Sequence, residues 1–172
     1  MFGPEPLTKY RENQLGIVPR CCGEIFASLS SDRNVKRYNI EVSFFEIYIH
    51  NRIRDLLHPP KRHDSSLKVR DGRKGVWIEG LKSEPANNLN EILTLIAIAN
   101  SHRTVSSTAM NKTSSRSHSI MEVIIRIERM DGSHSRSKLN FIDLAGMDTI
   151  SYIIYIICII HMKKVTFFFL NT

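Results

Sequence analysis

The sequence predicts an α/β fold, and three patterns support this prediction. Apolar residues recur at helical spacing over residues 16–29 and again after Asn88. Residues 38–49 and 119–128 show the continuous or alternating apolar patterns of strands. Asp131-Gly132 separates two such patterns and is typical of a hairpin turn. The length of 172 residues, with 42% hydrophobic and 24% charged residues, suits one globular domain.

The first elements are a helix and a long strand. Pro19 falls in the first turn of the helix over 16–29, where a missing N–H costs little. The strand over 38–49 changes its apolar phase between Phe44 and Phe45. We therefore expect it to be buried on both faces, with a β-bulge at the phase shift. A short helical turn is predicted over 53–57, ended by two prolines.

A hairpin, a helix and two more strands follow. Strands over 67–70 and 76–79 flank the turn 71–75. Asn88, three residues before Glu91, predicts a helix start. The apolar side of this helix consists of Ile92, Leu93, Leu95, Ile96 and Ala99. The strand over 119–128 places four apolar residues on one face: Met121, Val123, Ile125 and Ile127. The last strand runs from about 135 to 144.

Charge and cysteines restrict the setting of the protein. The net charge of +7 and pI near 9.5 favour an acidic partner, such as nucleic acid, an anionic membrane or an acidic protein surface, although a merely basic globular protein fits the charge at least as well. The three cysteines, Cys21, Cys22 and Cys158, form neither a disulfide framework nor a spaced zinc site, so a reducing intracellular compartment fits best. Residues 1–10 lack the apolar segment of a signal peptide.

The C-terminal segment is unusual. Residues 150–160 and 165–170 are apolar and enclose a basic stretch, 161–164. A membrane span needs about 20 apolar residues, so the first run is too short. A buried strand, an interfacial segment and translated non-coding sequence remain open, and the last is favoured over a membrane anchor.

Two polar segments carry residues suited to nucleotide chemistry. Residues 111–118 read N-K-T-S-S-R-S-H, and residues 143–146 read D-L-A-G. Hydroxyls can ligate magnesium, arginine can pair with phosphate or carboxylate, and an aspartate at a strand end can hold magnesium-bound water. Each segment alone also fits an ordinary polar loop or turn.

Together and in this order, the two segments resemble the switches of kinesin motors. The family patterns N-x-x-S-S-R-S-H and D-L-A-G match at every fixed position. Residues 16–20, 42–57 and 103–111 also resemble kinesin segments, so the similarity covers residues 1–146. Myosins share the N-x-x-S-S-R core, but Ser117-His118 and D-L-A-G favour kinesin.

The resemblance implies a partial kinesin-type P-loop NTPase fold: half of a central mixed sheet, with helices mainly on one face. It divides the chain into a partial motor domain, 1–148, and a tail outside the family, 149–172. In the family, the phosphate-loop strand pairs beside the strand that ends at Asp143. We therefore expect that strand to be an exposed edge and the second face of the sheet to lack its cover.

The resemblance also implies roles for individual residues. Ser114 and Ser115 would contact the γ-phosphate and magnesium, Asp143 would hold magnesium through its bound water, and Arg116 would pair with Asp148 as the catalytic closure. Three further residues would sense the nucleotide: Asn111, His118 and Gly146. The implied cofactors are ATP and Mg²⁺.

The sequence departs from the family in ways that affect catalysis. The chain contains no G-x-x-x-x-G-K-[ST] phosphate loop, and none of its glycines precedes a lysine. Asp148 stands where the family has glutamate, and it is one methylene shorter. We therefore expect the chain to bind ATP and Mg²⁺ poorly and not to hydrolyse ATP.

The implied partner is the microtubule. Arg70, Arg73 and Lys74 correspond to a tubulin-contacting loop of the family, although a solvated hairpin tip is an equally good interpretation of any one of them. A non-catalytic tubulin-binding module and a membrane-associated protein are the alternatives, and nucleic-acid binding is not expected because no basic-aromatic repeat is present. The expected location is the cytoplasm and its microtubule cytoskeleton.

Overall fold

The computed structural model describes residues 2, 15–48, 52–59, 66–72, 75–109, 117–144 and 166–170, with backbone alone at 104–109 and 166–170. Two helices and eight strands lie within these ranges. In chain order they are α1 (Ile17–Ser31), β1 (Val35–Tyr48), β2 (Arg52–Asp55), β3 (Lys68–Gly72), β4 (Gly75–Glu79), β5 (Glu84–Pro85), α2 (Leu89–Ala109), β6 (His118–Arg129), β7 (His134–Asp143) and β8 (Thr166–Leu170).

The strands form one mixed sheet and a separate hairpin. The sheet order is β2-β1-β6-β7-β8, with β5 also beside β1, and β3 pairs with β4. All pairs are antiparallel except β7 with β8. The predicted turn between β6 and β7 is confirmed: Gly132 has φ +80°, and its N–H donates to the Arg129 carbonyl at 3.0 Å.

Both helices pack on the same face of the sheet, as predicted. In α2, Ile92, Ile96 and Ala99 are buried against strand residues such as Val42 and Met121. The predicted start of α2 is also confirmed, because the Glu91 N–H donates to Asn88 Oδ1 at 3.0 Å. The alternation in β6 therefore identified the helix-facing side of the sheet correctly.

The second face carries its own apolar cluster at the end of the sheet where β7 finishes. This cluster contains five buried residues: Phe45, Ile47, Ile53, Ile120 and Ile142. Leu67 and Ile78, from the β3–β4 segment, pack against it. The prediction that this face lacks its cover is therefore wrong at this end, because the hairpin supplies apolar side chains there.

Two local predictions for β1 and its neighbour are wrong. The β1–β6 register continues through Phe44 and Phe45, and its irregularity lies between Val35 and Arg37. No bulge is needed at the phase shift, because Phe44 is buried in the helix-side core and Phe45 in the second cluster. The predicted helical turn over 53–57 begins instead as strand β2, because residues 52–55 pair with β1 and bury Ile53.

The edge of β7 is paired rather than exposed. Strand β8 lies parallel to it, with Leu139 opposite Thr166 and Asp143 opposite Leu170. The expectation of an open edge at the strand ending at Asp143 is therefore wrong. Apolar strand-forming residues from the C-terminal segment supply the pairing that the resemblance suggested was missing.

Candidate functional site

A row of polar side chains crosses the sheet where β7 ends. Arg54, Glu46, Ser119 and Asp143 are successive cross-strand neighbours on β2, β1, β6 and β7. Directly opposed residues share a face of the sheet, so the four side chains form a continuous polar strip. At one end of the strip, Arg54 Nη2 lies 2.5 Å from Oε1 of the buried Glu46. This ion pair neutralises the strip on the β1–β2 side.

Arg103 of α2 meets the other end of the strip. Its Nη1 donates to Asp143 Oδ2 at 3.2 Å, and its Nη2 donates to the Ser117 carbonyl at 3.1 Å. The forked guanidinium can serve two acceptors at once, which a lysine ammonium does less well. One side chain therefore joins α2, the residue before β6 and the last residue of β7.

His118 lies beside this contact at the start of β6. Only 7% of the residue is exposed. Burial lowers the pKa of His118, and the positive charge of Arg103 lowers it further, while the Asp143 carboxylate acts in the opposite direction. The imidazole is therefore mainly neutral at pH 7 and can accept as well as donate a hydrogen bond.

The strip also contains a buried hydroxyl. Ser119 is fully buried, and its Oγ has no hydrogen-bond partner in the described part of the chain. A carboxylate and a hydroxyl are oxygen ligands of the kind that Mg²⁺ and its bound water prefer. Across the described ranges, however, no three His, Cys, Asp or Glu residues gather as a metal site. The indirect magnesium contact through Asp143 that the resemblance implies stays a prediction.

Three of the predicted site residues fall in the described ranges, and the structure brings two of them together. His118 and Asp143 lie at the same end of the sheet, on neighbouring strands β6 and β7. Arg70 lies apart, on strand β3. The other predicted residues, Asn111, Ser114, Ser115, Arg116, Gly146, Asp148, Arg73 and Lys74, lie outside the described residues. Their roles, including the Arg116–Asp148 pair, stay predictions.

Arg103 was not among the predicted site residues. It belongs to the segment 103–111 that resembles kinesin, but no role was assigned to it. A usable signal was its place on the predicted helix shortly before the N-x-x-S-S-R-S-H segment. A charged residue there, on an otherwise apolar helix side, has to find a partner at the sheet end.

The β3–β4 hairpin presents a mixed surface. Arg70 Nη2 lies 2.7 Å from Glu79 Oε2, so its charge is partly balanced. Trp77, opposite Arg70, is 49% exposed and lies over Gly72, where an added Cβ would stand 3.2 Å from the indole. The indole thus packs on the hairpin with one side, while about half of the residue faces solvent. An exposed indole beside an arginine is a common feature of interaction surfaces.

Comparison with known proteins identifies relatives of this arrangement. The family model described as kinesin motor domain matches residues 1–153. The chain is 42% identical over 141 residues to kinesin-related protein 5 of Dictyostelium discoideum, covering 80% of this chain and 14% of that protein. It is 36% identical over 145 residues to human kinesin-like protein KIF13A, covering 80% of this chain and 8% of that protein.

A solved structure agrees with the sequence relatives. Its title is "Structure of a fast kinesin: Implications for ATPase mechanism and interactions with microtubules"; the match has a TM-score of 0.73 and 34% identity and covers 88% of this chain and 41% of that one. The chain thus spans less than half of the solved chain and under one sixth of these two relatives. Among the described residues, no helix is long and apolar enough to cross a membrane.

Proposed function

Because this chain belongs to the kinesin motor domain family, we propose that it is a fragment of a microtubule-based motor and does not hydrolyse ATP by itself. In the complete domain, binding of ATP and Mg²⁺ would drive movement along microtubules. The proposed location is the microtubule cytoskeleton of the cytoplasm.

The contact of Arg103 with Asp143 and Ser117 is the observation that carries this proposal. The first predicted switch, 111–118, follows α2 and enters β6, and the second begins at the end of β7. Arg103 joins Ser117, near the end of the first segment, to Asp143, the first residue of the second. A change in the conformation of one segment would therefore affect the other, and a nucleotide switch requires this coupling.

The described residues suit the edge of a magnesium–nucleotide site rather than its centre. Mg²⁺ would supply the positive charge that offsets negative charge on the transferring phosphoryl group. Asp143 would hold a water of that ion, while Arg103 keeps the carboxylate at the strand end. The largely neutral His118 ring would provide a hydrogen bond without adding a second positive charge beside Arg103.

The sequence supports the proposed absence of ATP hydrolysis. Phosphoryl transfer depends on positioning and charge stabilisation by the phosphate loop, and this chain has no G-x-x-x-x-G-K-[ST]. We expect the phosphate release rate with ATP, Mg²⁺ and microtubules to equal that of buffer with microtubules. Nucleotide turnover by the purified chain, abolished by Asp143→Asn, would contradict this part of the proposal.

A non-catalytic tubulin-binding module is the second candidate, favoured by the exposed Arg70–Trp77 surface of the hairpin. It predicts co-sedimentation with microtubules that weakens with salt and does not change between ADP and a non-hydrolysable ATP analogue. Trp77→Ala should reduce this binding, whereas Met130→Ala, which removes an exposed apolar side chain elsewhere, should not. Nucleotide-dependent binding would instead favour a working switch.

A further inference from the structure

A groove of about 470 Å³ lies at the opposite end of the sheet from Asp143. Its walls are formed by alternate residues of three strands, which therefore share one face. These residues are Arg37, Asn39, Arg126, Glu128, His134 and Arg136. The intervening residues Tyr38, Ile127 and Ser135 also line the groove. Because Tyr38 and Ile127 direct their side chains into the helix-side core, we place the groove on the face away from α1 and α2, where these residues contribute backbone.

The groove is separate from the proposed switch site. Arg136 and Asp143 are seven positions apart on β7, which corresponds to about 24 Å along a strand. Because side chains alternate, the two residues also face opposite sides of the sheet. Binding in the groove therefore does not depend on the proposed nucleotide chemistry.

The carboxylates of the groove are already engaged by cations. Glu128 accepts hydrogen bonds from Lys36 Nζ, at 2.7 Å, and from Arg37 Nε. These contacts lower the pKa of Glu128 and keep it ionised. Glu41, at the rim, lies 2.6 Å from Arg126 Nη1. Four cationic side chains thus face two carboxylates, which leaves a positive excess even with His134 neutral.

Arg126 and Arg136 are directly opposed on β6 and β7. Like charges placed directly opposite each other destabilise a sheet. Both residues are exposed, and within the described residues Arg136 has no ion-pair partner. Glu41 offsets the charge of Arg126 only, so an anion in the groove would supply the partner that Arg136 lacks.

We propose that this groove binds an acidic peptide segment in extended conformation. The two rows of groove side chains are two residues apart along the strands, or about 7 Å. Alternate side chains of an extended peptide have the same spacing, so carboxylates at positions i and i+2 can meet successive rows. Arginine suits this partner because its fork binds a carboxylate through two parallel hydrogen bonds.

The direct test is fluorescence polarisation with a labelled hexaglutamate peptide and the full chain, with labelled hexaglutamine as the neutral probe. Hexaglutamate should bind and hexaglutamine should not, and affinity should fall as salt is raised. Arg136→Gln should weaken binding roughly tenfold, the effect expected for one charge-assisted contact. Arg136→Lys should fall between the two, because it keeps the charge and loses the fork.

Arg20→Gln is the matched control, because it removes the same charge from an exposed position on α1. Equal weakening by Arg20→Gln and Arg136→Gln would show attraction to net charge alone and overturn the proposal. Failure of hexaglutamate to bind the wild-type chain at low salt would overturn it as well. A third result would also overturn the proposal. If inorganic phosphate displaces the peptide more than chloride does at equal ionic strength, the groove selects phosphate rather than a peptide.

Folding of the variant is checked by urea unfolding. Arg136→Gln relieves the like-charge contact with Arg126, so its stability should equal or exceed that of the wild-type chain. Loss of binding with retained stability identifies Arg136 as a ligand-binding residue. If Arg136→Gln loses both peptide binding and stability while Arg126→Gln still binds the peptide, the result would count against binding in the groove.

Discussion

Arg103 Nη1 lies 3.2 Å from Asp143 Oδ2, and this ion pair fastens α2 to the last residue of β7. The two side chains are 18% and 30% exposed, so solvent screens their interaction only in part. The same guanidinium also donates to the Ser117 carbonyl. The end of the sheet that carries the candidate site is thus held by a helix residue.

We expect Arg103→Ala to lower the free energy of unfolding by about 2–3 kcal/mol, because hydrogen bonds to charged groups contribute about 1.5–3 kcal/mol and their loss leaves acceptors unpaired. Arg103→Lys should recover part of this loss, since an ammonium reaches one acceptor more readily than two. Urea unfolding measures both changes. Arg20→Ala, on the exposed side of α1, should change stability by less than about 0.5 kcal/mol, and an equal loss there would refute a specific role for Arg103.

The lowered pKa of His118 predicts a pH-dependent stability. Below about pH 6.5 the unfolded chain binds a proton at this residue more readily than the folded chain. The free energy of unfolding should therefore rise with pH and lose this dependence about one unit above the ordinary histidine pKa. His118→Gln should reduce the slope in urea titrations between about pH 5.5 and 7.5, a window of about one unit on each side of the ordinary histidine pKa.

Ser119→Ala is the control for the pH experiment, since it alters the same strand end without removing a titratable group. It should keep the wild-type slope. Hydrogen bonds lower the pKa values of three carboxyl groups, those of Glu91, Glu128 and Asp131. Their contribution to stability is therefore complete above the ordinary carboxyl pKa and is lost as the pH falls below it. A His118→Gln variant with an unchanged slope would show that another group causes the dependence.

Buried Asp55, the residue after Arg54 on β2, should also contribute to stability, through hydrogen bonds to three backbone N–H groups. It is 3% exposed, and its Oδ1 accepts the N–H groups of Leu57 at 2.8 Å and His58 at 2.9 Å. Its Oδ2 accepts the N–H of Lys82 at 3.2 Å, which ties the end of β2 to the loop after β4. Asp55→Ala should cost about 2–4 kcal/mol, because each buried donor left unpaired costs about 1–3 kcal/mol.

Asp55→Asn separates hydrogen bonding from charge at this position. It keeps one acceptor oxygen and should lose less stability than Asp55→Ala. The exposed Asp71 on β3 provides a matched Asp→Ala control with little expected effect. If Asp55→Ala and Asp71→Ala unfold at the same urea concentration, the three backbone contacts do not contribute as proposed.

The features that were predicted correctly from the sequence are those that depend on local periodicity. The apolar side of α2 and the alternation of β6 were sufficient to place both in the helix-side core. Asn88 and Asp131-Gly132 predicted the helix start and the hairpin turn, because their side-chain and backbone preferences act within a few residues. The motifs 111–118 and 143–146 also led to His118 and Asp143, which do lie at one end of the sheet.

The errors concern contacts between distant parts of the chain. Residues 53–55 have a locally helical pattern, but pairing with β1 makes them a strand. The Arg103–Asp143 contact joins residues forty positions apart, and no local pattern encodes it. The parallel pairing of β8 with β7 likewise depends on a long connection, and sequence alone does not reveal which edge such a strand joins.

The pairing of β8 with β7 leads to a testable prediction about the C-terminal segment. An unpaired β7 edge would present free N–H and C=O groups and promote association between chains. Because β8 covers that edge, blocking its pairing should speed amide exchange in residues 139–143 and increase light scattering. Proline blocks pairing because it has no N–H to donate.

Phe167→Pro and Phe168→Pro should both be made, since neighbouring residues of a strand direct their N–H groups to opposite edges. The proline whose lost N–H faced β7 should be the more disruptive of the two. Phe167→Val and Phe168→Val keep the N–H and a strand-forming side chain, so they should retain wild-type exchange. If neither proline changes exchange in β7, residues 166–170 do not hold that edge in solution, and protection of the β7 amides must come from elsewhere in the chain.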